Sequence, residues 1–391
     1  MKNNRIKRLA TVAMAFVASA VALAACSSPS ATTTTTSSGQ TPSTSALPPT
    51  SSTAKPTTTS APPVSNISLN GAGATFPQPL YTKWFDEYYK LTGVKINYQG
   101  VGSGGGITQI TAGTVDFGAS DGIMTDAQQA AAEAAGGPIL HIPMTIGPVA
   151  IAYNLPNLGS TQLKMTPDVL ADIFLKNITK WSDPRISTIN AGVPLPNIDI
   201  AVVHRSDSSG TTYIFTNYLS KVSSQWNSQV GNATSVNWPG DIGGQGSAGV
   251  AAQIQQIPGA IGYVELAYVI QNKLPYALLQ NASGNYIAPS LASASKAADG
   301  VQLPTDMKIM ITNSKNADAY PIVGFTWILA FVNQKDKDKG QALVNMLWWA
   351  IHDAQQFNAA LTYPTLPAAA VTNAENEILS IKYQGQPLKT R

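Results

Sequence analysis

Three short segments pair small residues with a hydroxyl just before a helix-spaced apolar run: Ala74-Thr75-Phe76, Gly102-Ser103-Gly104 and Ser208-Ser209-Gly210-Thr211. At a strand-to-helix junction, such a segment presents unpaired backbone N–H groups and the positive end of the helix dipole. Glycine lets the backbone approach a ligand closely, and Ser and Thr add O–H donors. Each segment alone is explained by an N-cap and a tight turn. Together they could surround a small tetrahedral oxyanion with donors. Arg205 lies four residues before Ser209, at the end of an apolar strand. Its guanidinium can hold an oxyanion by two parallel hydrogen bonds. Asp207 is placed to orient that guanidinium, although a surface ion pair of small worth is the plainer alternative for the two.

Other patterns carry less. Gly100, Gly102 and Gly105 satisfy G-x-G-x-x-G after a strand, with Asp116 and Asp121 lying 16 and 21 residues beyond Gly100. That is a dinucleotide-binding pattern. The helix after it reads as only about two turns, and the chain reads as exported, where dinucleotide is scarce. The other two loops would also go unexplained. His141, His204 and His352 are scattered without metal-ligand spacing, so neither a metal nor another cofactor is expected. Ser52-Thr53-Ala54-Lys55 matches S-x-x-K, but in a segment with no helix to hold serine against lysine. The sequons at Asn66, Asn177, Asn232 and Asn281 are read as coincidence.

The elements that must position these residues run through 67–391. Ile67–Leu69 reads as a strand, followed by a helix with a stripe of Leu80, Trp84, Phe85, Tyr88, Tyr89 and Leu91 that Gly93 ends. Strands at Val94–Tyr98 and Val115–Ala119 flank a short helix at Ile107–Ala112. This β-α-β-α-β order predicts a parallel sheet with ligand loops at its strand ends. The alternation recurs. Strands are expected at Val149–Tyr153, Ile200–Val203, Ala260–Val264 and Ile322–Val332. Helices are expected from Thr166 to Phe174, after Thr212, over Gly249–Gln256, after Lys339 and at about Ala374–Ile381. Trp348 and Trp349 are read as packing residues.

The 391 residues are 12% charged and 44% hydrophobic, which favours two folded domains over a coiled coil or a charged disordered chain. Residues 1–26 read as a secretory leader: Lys2, Arg5, Lys7 and Arg8, then an apolar run from Leu9 to Leu23. Without those four cations, 20 basic residues face 21 acidic ones, a balance that disfavours nucleic acid as a partner. The leader ends in Leu23-Ala24-Ala25-Cys26, and Cys26 is the only cysteine. That ending resembles a bacterial lipobox, which implies a lipid on Cys26 and attachment to the outer face of the cell membrane. In residues 27–66 all but six are Ser, Thr, Pro or Ala, the composition of a disordered stalk.

Five segments in order carry a family resemblance. They are Gly71–Pro77, Tyr98–Gly104, Thr114–Asp121, Arg205–Thr211 and Gly259–Glu265. They resemble the phosphate-binding proteins of bacterial ABC phosphate importers, the PstS family. The resemblance implies an α/β fold of the two-domain periplasmic-binding-protein (type II) kind with two hinge crossovers. The crossings would lie near Thr145 and Pro321, giving one domain from 67–145 with 321–391 and a second from 146–320. It implies phosphate held by Thr75, Phe76, Ser103, Arg205, Ser209, Gly210 and Thr211, with Asp207 in support. Asp121 matches the carboxylate that accepts a proton from phosphate. Two departures stand out. The loop Ser103-Gly104-Gly105 stands where many relatives have a second serine, and His204 where some have another arginine.

The implied function is binding of inorganic phosphate and delivery to the permease subunits of an ABC importer, without catalysis, by a chain expected to be monomeric. Phosphate carries a proton near neutral pH, which Asp121 can accept. Sulfate has none and would meet the carboxylate lone pair to lone pair, at a cost of a few kcal/mol. A binder of another tetrahedral oxyanion and an extracellular phosphohydrolase remain the alternatives.

Overall fold

The computed structural model describes residues 65–390, apart from 157, 159, 160 and 241. Cys26, the leader, Ser52–Lys55 and the stalk through residue 64 lie outside the described residues.

Eight strands form the main sheet: β1 (Ser68–Gly73), β2 (Lys95–Gly100), β3 (Phe117–Ser120), β4 (Ile139–Tyr153), β5 (Ala201–Arg205), β6 (Ile242–Gly244), β7 (Ala260–Glu265) and β8 (Val323–Phe331). Their order is β2-β1-β3-β8-β4-β7-β5-β6. The β1, β2 and β3 group is parallel, and so is the β5, β6 and β7 group. Between them, β8 and β4 run antiparallel to their neighbours. The sheet is therefore mixed, where the local alternation predicted a parallel one. The long strands β4 and β8 are almost wholly buried, which accounts for their near-continuous apolar sequences.

β4 changes partner along its length. Residues 139–148 pair with β8, and Val149–Tyr153 pair with β7. The β4–β8 ladder slips between Thr326 and Trp327, where Met144 is the extra residue beside Pro143. A proline cannot donate to the ladder, so a bulge is a natural place for it.

The helices that matter to the site each follow a strand: α1 (Gln78–Thr92), α2 (Ser103–Thr111), α3 (Asp126–Gly136), α4 (Pro167–Phe174), α5 (Gly210–Val222), α6 (Gly246–Gln256) and α7 (Leu266–Gln271). In α1 the buried stripe is Leu80, Tyr81, Trp84, Phe85 and Tyr88. Tyr89 and Leu91, expected on that stripe, are exposed. At 100° per residue they rotate past the core-facing edge. Gly93 ends α1 in the left-handed region at φ 74°, as expected. Helix α2 begins at Ser103, four residues before the expected start, so its glycines form a first turn and not a loop. Helix α3 was not anticipated. Its alanines make no apolar stripe, and a capping box on Thr125 and Gln128 starts it. Two later helices, α8 (Lys337–Ile351) and α9 (Ala368–Leu379), pack on each other, α8 against β1 and α9 against β4, with Trp348 and Trp349 packed against the core. Among the described residues, no helix is long and apolar enough to cross a membrane.

Candidate functional site

The expected residues all lie at carboxyl ends of strands, where ligand loops of α/β sheets gather. β1 leads to Thr75 and Phe76, β2 to Ser103, β3 to Asp121, and β5 through Arg205 to Ser209, Gly210 and Thr211. Contacts between the two strand groups bring them together. Gly210 N–H donates to Ser103 Oγ at 3.0 Å. Gly104 N–H donates to Ser208 O at 3.0 Å. Thr75, Phe76, Ser103, Asp121, Arg205, Ser209 and Thr211 are each no more than 5% exposed. An open groove of 530 Å³ beside Tyr89 and Tyr98 shares none of these residues.

Close approach depends on missing β-carbons. A β-carbon on Gly210 would lie 2.5 Å from Ser103 Oγ and 2.6 Å from the Asp121 backbone N. One on Gly102, at φ 88°, would run into Asp207 Oδ2. A side chain at 104 would strike Ser208.

Hydrogen-bond roles fix what the hydroxyls have left to offer. Ser103 Oγ accepts from Gly210 N–H and from Asp121 N–H at 3.2 Å. Ser209 Oγ caps α5 by accepting from Thr212 N–H at 3.1 Å. Thr75 Oγ1 accepts from Ser247 N–H at 3.1 Å and lies 3.0 Å from Ser247 Oγ. Thr211 Oγ1 accepts from Arg205 Nη1 at 3.4 Å. With acceptor positions used inside the protein, the protons of Ser103, Ser209 and Thr211 remain for an anion.

Asp207 grips Arg205 by Nε at 2.7 Å and by Nη2, and takes Gly246 N–H at 3.0 Å. Both side chains are buried, so this is not the exposed surface pair offered as the alternative reading. Burial alone would raise the Asp207 carboxyl, but the hydrogen bonds and charge of Arg205 hold it below its ordinary value. Two N–H groups of the guanidinium are left free to bind an anion. His204 faces elsewhere. Its ring stacks on Trp238 at 5.0 Å, and its Nδ1 lies 2.9 Å from Arg205 O.

Asp121 is the buried acceptor in this ring of donors. Burial pushes its carboxyl up to about 7, against the opposing pull of Thr326, Arg205 and Ser103. Sequence reading missed Thr326. Its hydroxyl donates to Asp121 Oδ1 at 2.8 Å, because the β3–β8 register that pairs Ser120 with Trp327 sets Thr326 across from Asp121. The other oxygen is left for a ligand. Thr326→Val should move the carboxyl further upward, read by carbon NMR titration of the Asp121 side chain; a downward or absent shift would remove Thr326 from this role.

Ser247 and Tyr268 were missed as well. Tyr268 donates to Thr75 O at 2.6 Å. Gly244-Gln245-Gly246-Ser247 is a fourth small-residue segment before a helix, so the rule that found the first three applies to it. Thr326 and Tyr268 stand in apolar runs that give no local signal. The sequon at Asn281 is structural: its Nδ2 donates to Ala317 O at 2.8 Å and Ala319 O at 3.1 Å.

A family profile described as a PBP superfamily domain matches residues 28–346. The phosphate-binding protein PstS of Xylella fastidiosa is 43% identical over 312 residues, 79% of this chain and 84% of that one. The phosphate-binding protein PstS of Pasteurella multocida is 43% identical over 306 residues, 78% of this chain and 88% of that one. Among solved structures, a high affinity periplasmic phosphate-binding protein bound with phosphate superposes with a TM-score of 0.64 at 21% identity, covering 79% of this chain and 93% of that one. That neighbour shows the periplasmic-binding-protein fold, and the sequence relatives show the family: this chain belongs to the PstS phosphate-binding proteins of the PBP superfamily.

Proposed function

We propose that the chain binds inorganic phosphate between two lobes and delivers it to the membrane permease of an ABC importer. The observation that carries this reading is Asp121, a carboxyl 1% exposed within a shell of buried donors. A lone acceptor among many donors suits an anion that still carries a proton. Arg205, the hydroxyls of Ser103, Ser209 and Thr211, and the N–H groups of Phe76 and Thr211 serve the phosphate oxygens. The Thr75 hydroxyl does so when its proton is not given to Ser247 Oγ, while Gly210 N–H, spent on Ser103 Oγ, holds that hydroxyl toward the anion. Asp207 holds Arg205. A dehydrated dianion needs such a complete set of donors.

The lobes are residues 67–145 with 321–391, and residues 146–320. The partner change of β4 after Pro148 supports one crossing near Thr145, and the start of β8 at Val323 supports another near Pro321. Ligand contacts to both lobes would favour the closed form, the form a permease reads. The mature chain is tethered outside the cell membrane by a lipid on Cys26, which the lipobox-like ending of the leader supports.

No covalent step is part of this function. Calorimetry decides between the readings. Phosphate should saturate one site, and sulfate should give no comparable heat. Absence of phosphate binding, or turnover of a chromogenic phosphate ester that Ser209→Ala abolishes, would overturn the proposal.

A further inference from the structure

Glu265 is a fully buried carboxyl with no part in the donor shell. It ends β7 and caps α7, its Oε2 accepting from Ala267 N–H at 2.8 Å. The same Oε2 lies 3.0 Å from Tyr363 Oη, and Tyr363 Oη lies 2.7 Å from Phe76 O. A phenol has one proton. If it goes to Phe76 O, the phenol oxygen faces Glu265 with a lone pair. If it goes to Glu265, the phenol oxygen faces the Phe76 carbonyl at 2.7 Å with a lone pair. Two full hydrogen bonds need a second proton, and Glu265 is the group able to bring it.

We infer that Glu265 is a positioning residue held in its neutral acid form. Its Oε2–H donates to Tyr363, whose own proton goes to Phe76 O. This fixes the Phe76 peptide, one of the proposed phosphate donors, and ties it to α7 across the site. The inference rests on the phosphate reading for its effect on binding, but not for the proton itself.

The surroundings agree. The ionisable groups facing Glu265 are Tyr363, Tyr268 on α7 and Asp121 at the end of β3. None of them is a cation, and among the described residues Glu265 makes no ion pair. Its Oε1 has no hydrogen-bond partner among the described residues. An ionised carboxylate there would be buried and uncompensated. A second buried anion would also oppose an incoming dianion, whereas a neutral acid does not. An amide cannot replace it fully, because no single amide atom both accepts from Ala267 N–H and donates to Tyr363.

Infrared difference spectroscopy of the intact mature protein, parent minus Glu265→Gln, tests the proton without any ligand. Glu377 is also buried and raised to about 8, so the comparison is made in a Glu377→Gln background: at about pH 8 a carboxylic-acid C=O band should be present, persist on adding Asp121→Asn and disappear on adding Glu265→Gln, since free glutamate is ionised far below that pH. Tyr363→Phe should shift the band by removing its partner, which keeps the test open if Glu265→Gln fails to fold. A carboxylate band in its place, or an acid band unmoved by Tyr363→Phe, would overturn the inference. Calorimetry then reads the coupling. Tyr363→Phe should weaken phosphate binding by about tenfold, the scale of one buried hydrogen bond, at unchanged stoichiometry. Unchanged affinity would sever Glu265 from the site. If wild type itself binds no phosphate, the functional reading fails while the infrared result still stands.

Discussion

Asp121→Asn is expected to admit sulfate and to stabilise the ligand-free protein at the same time. An asparagine still accepts from Thr326, whose hydroxyl reaches Oδ1 at 2.8 Å in the wild type. Its NH₂ group can donate to sulfate, where the carboxylate repels it. Discrimination between phosphate and sulfate should fall by a factor of about one hundred or more, the scale of a buried unmatched polar contact. Competition calorimetry measures it, and unchanged selectivity would take Asp121 out of the mechanism.

The pH dependence follows from the same group. The Asp121 carboxyl is raised by burial to about 7, from 3.8 in an unfolded chain. Between those values the folded protein holds a proton that the unfolded chain has lost. Stability contributed by this group is therefore full below about pH 4, declines as pH rises, and levels off above about pH 7. At pH 8 the burden is roughly 4 kcal/mol, at about 1.4 kcal/mol per unit. Chemical denaturation should show Asp121→Asn gaining on wild type across that window and not below it. Sulfate exclusion by wild type should instead strengthen as pH rises through about 7, where the folded carboxyl ionises, because only the ionised carboxyl repels a fully ionised anion. The acid proposed to confer selectivity is thus a cost to the empty fold, a trade common at binding sites.

Arg205→Lys is expected to weaken phosphate binding by about a hundredfold or more while leaving the fold intact. The guanidinium meets Asp207 with Nε and Nη2 on one side and offers its remaining N–H groups on the other. An ammonium has no such planar fork. It can keep Asp207 neutralised, so the midpoint of thermal unfolding should move little, or serve the ligand, but not both with the same geometry. Arg205→Ala differs, because it strands a buried carboxylate and should cost about 3–5 kcal/mol of stability. Comparing the two by calorimetry and thermal melts separates ligand contact from structural pairing. An affinity unchanged in Arg205→Lys would show that the fork does not reach the anion.

Much of this site was legible because its parts are local. A hydroxyl and a glycine before a helix announce a donor-rich strand end without any knowledge of the fold, as at Ser103 and Ser209. Arg205 and Asp207 are two residues apart, so their pairing needed only the end of one strand. The resemblance then supplied the role of Asp121, which periodicity could not have given. Where local signals were weak, elements were lost. The alanines of α3 gave no stripe, and the glycines at the start of α2 read as loop until the strand behind them fixed their turn.

What the order of residues determined alone was the chemistry on offer: a guanidinium with its own carboxylate, several capped hydroxyls, a single cysteine, and strand–helix alternation. These depend on neighbours within a few positions, where backbone geometry and side-chain reach are nearly fixed. Tertiary structure decided which of them meet. Thr326 reaches Asp121 from 205 residues away, Tyr363 reaches Phe76 from 287, and Ser247 reaches Thr75 from 172. Contacts at such separations follow from strand order and register in the mixed sheet. That order reflects how the whole apolar surface is buried, a property no single segment carries.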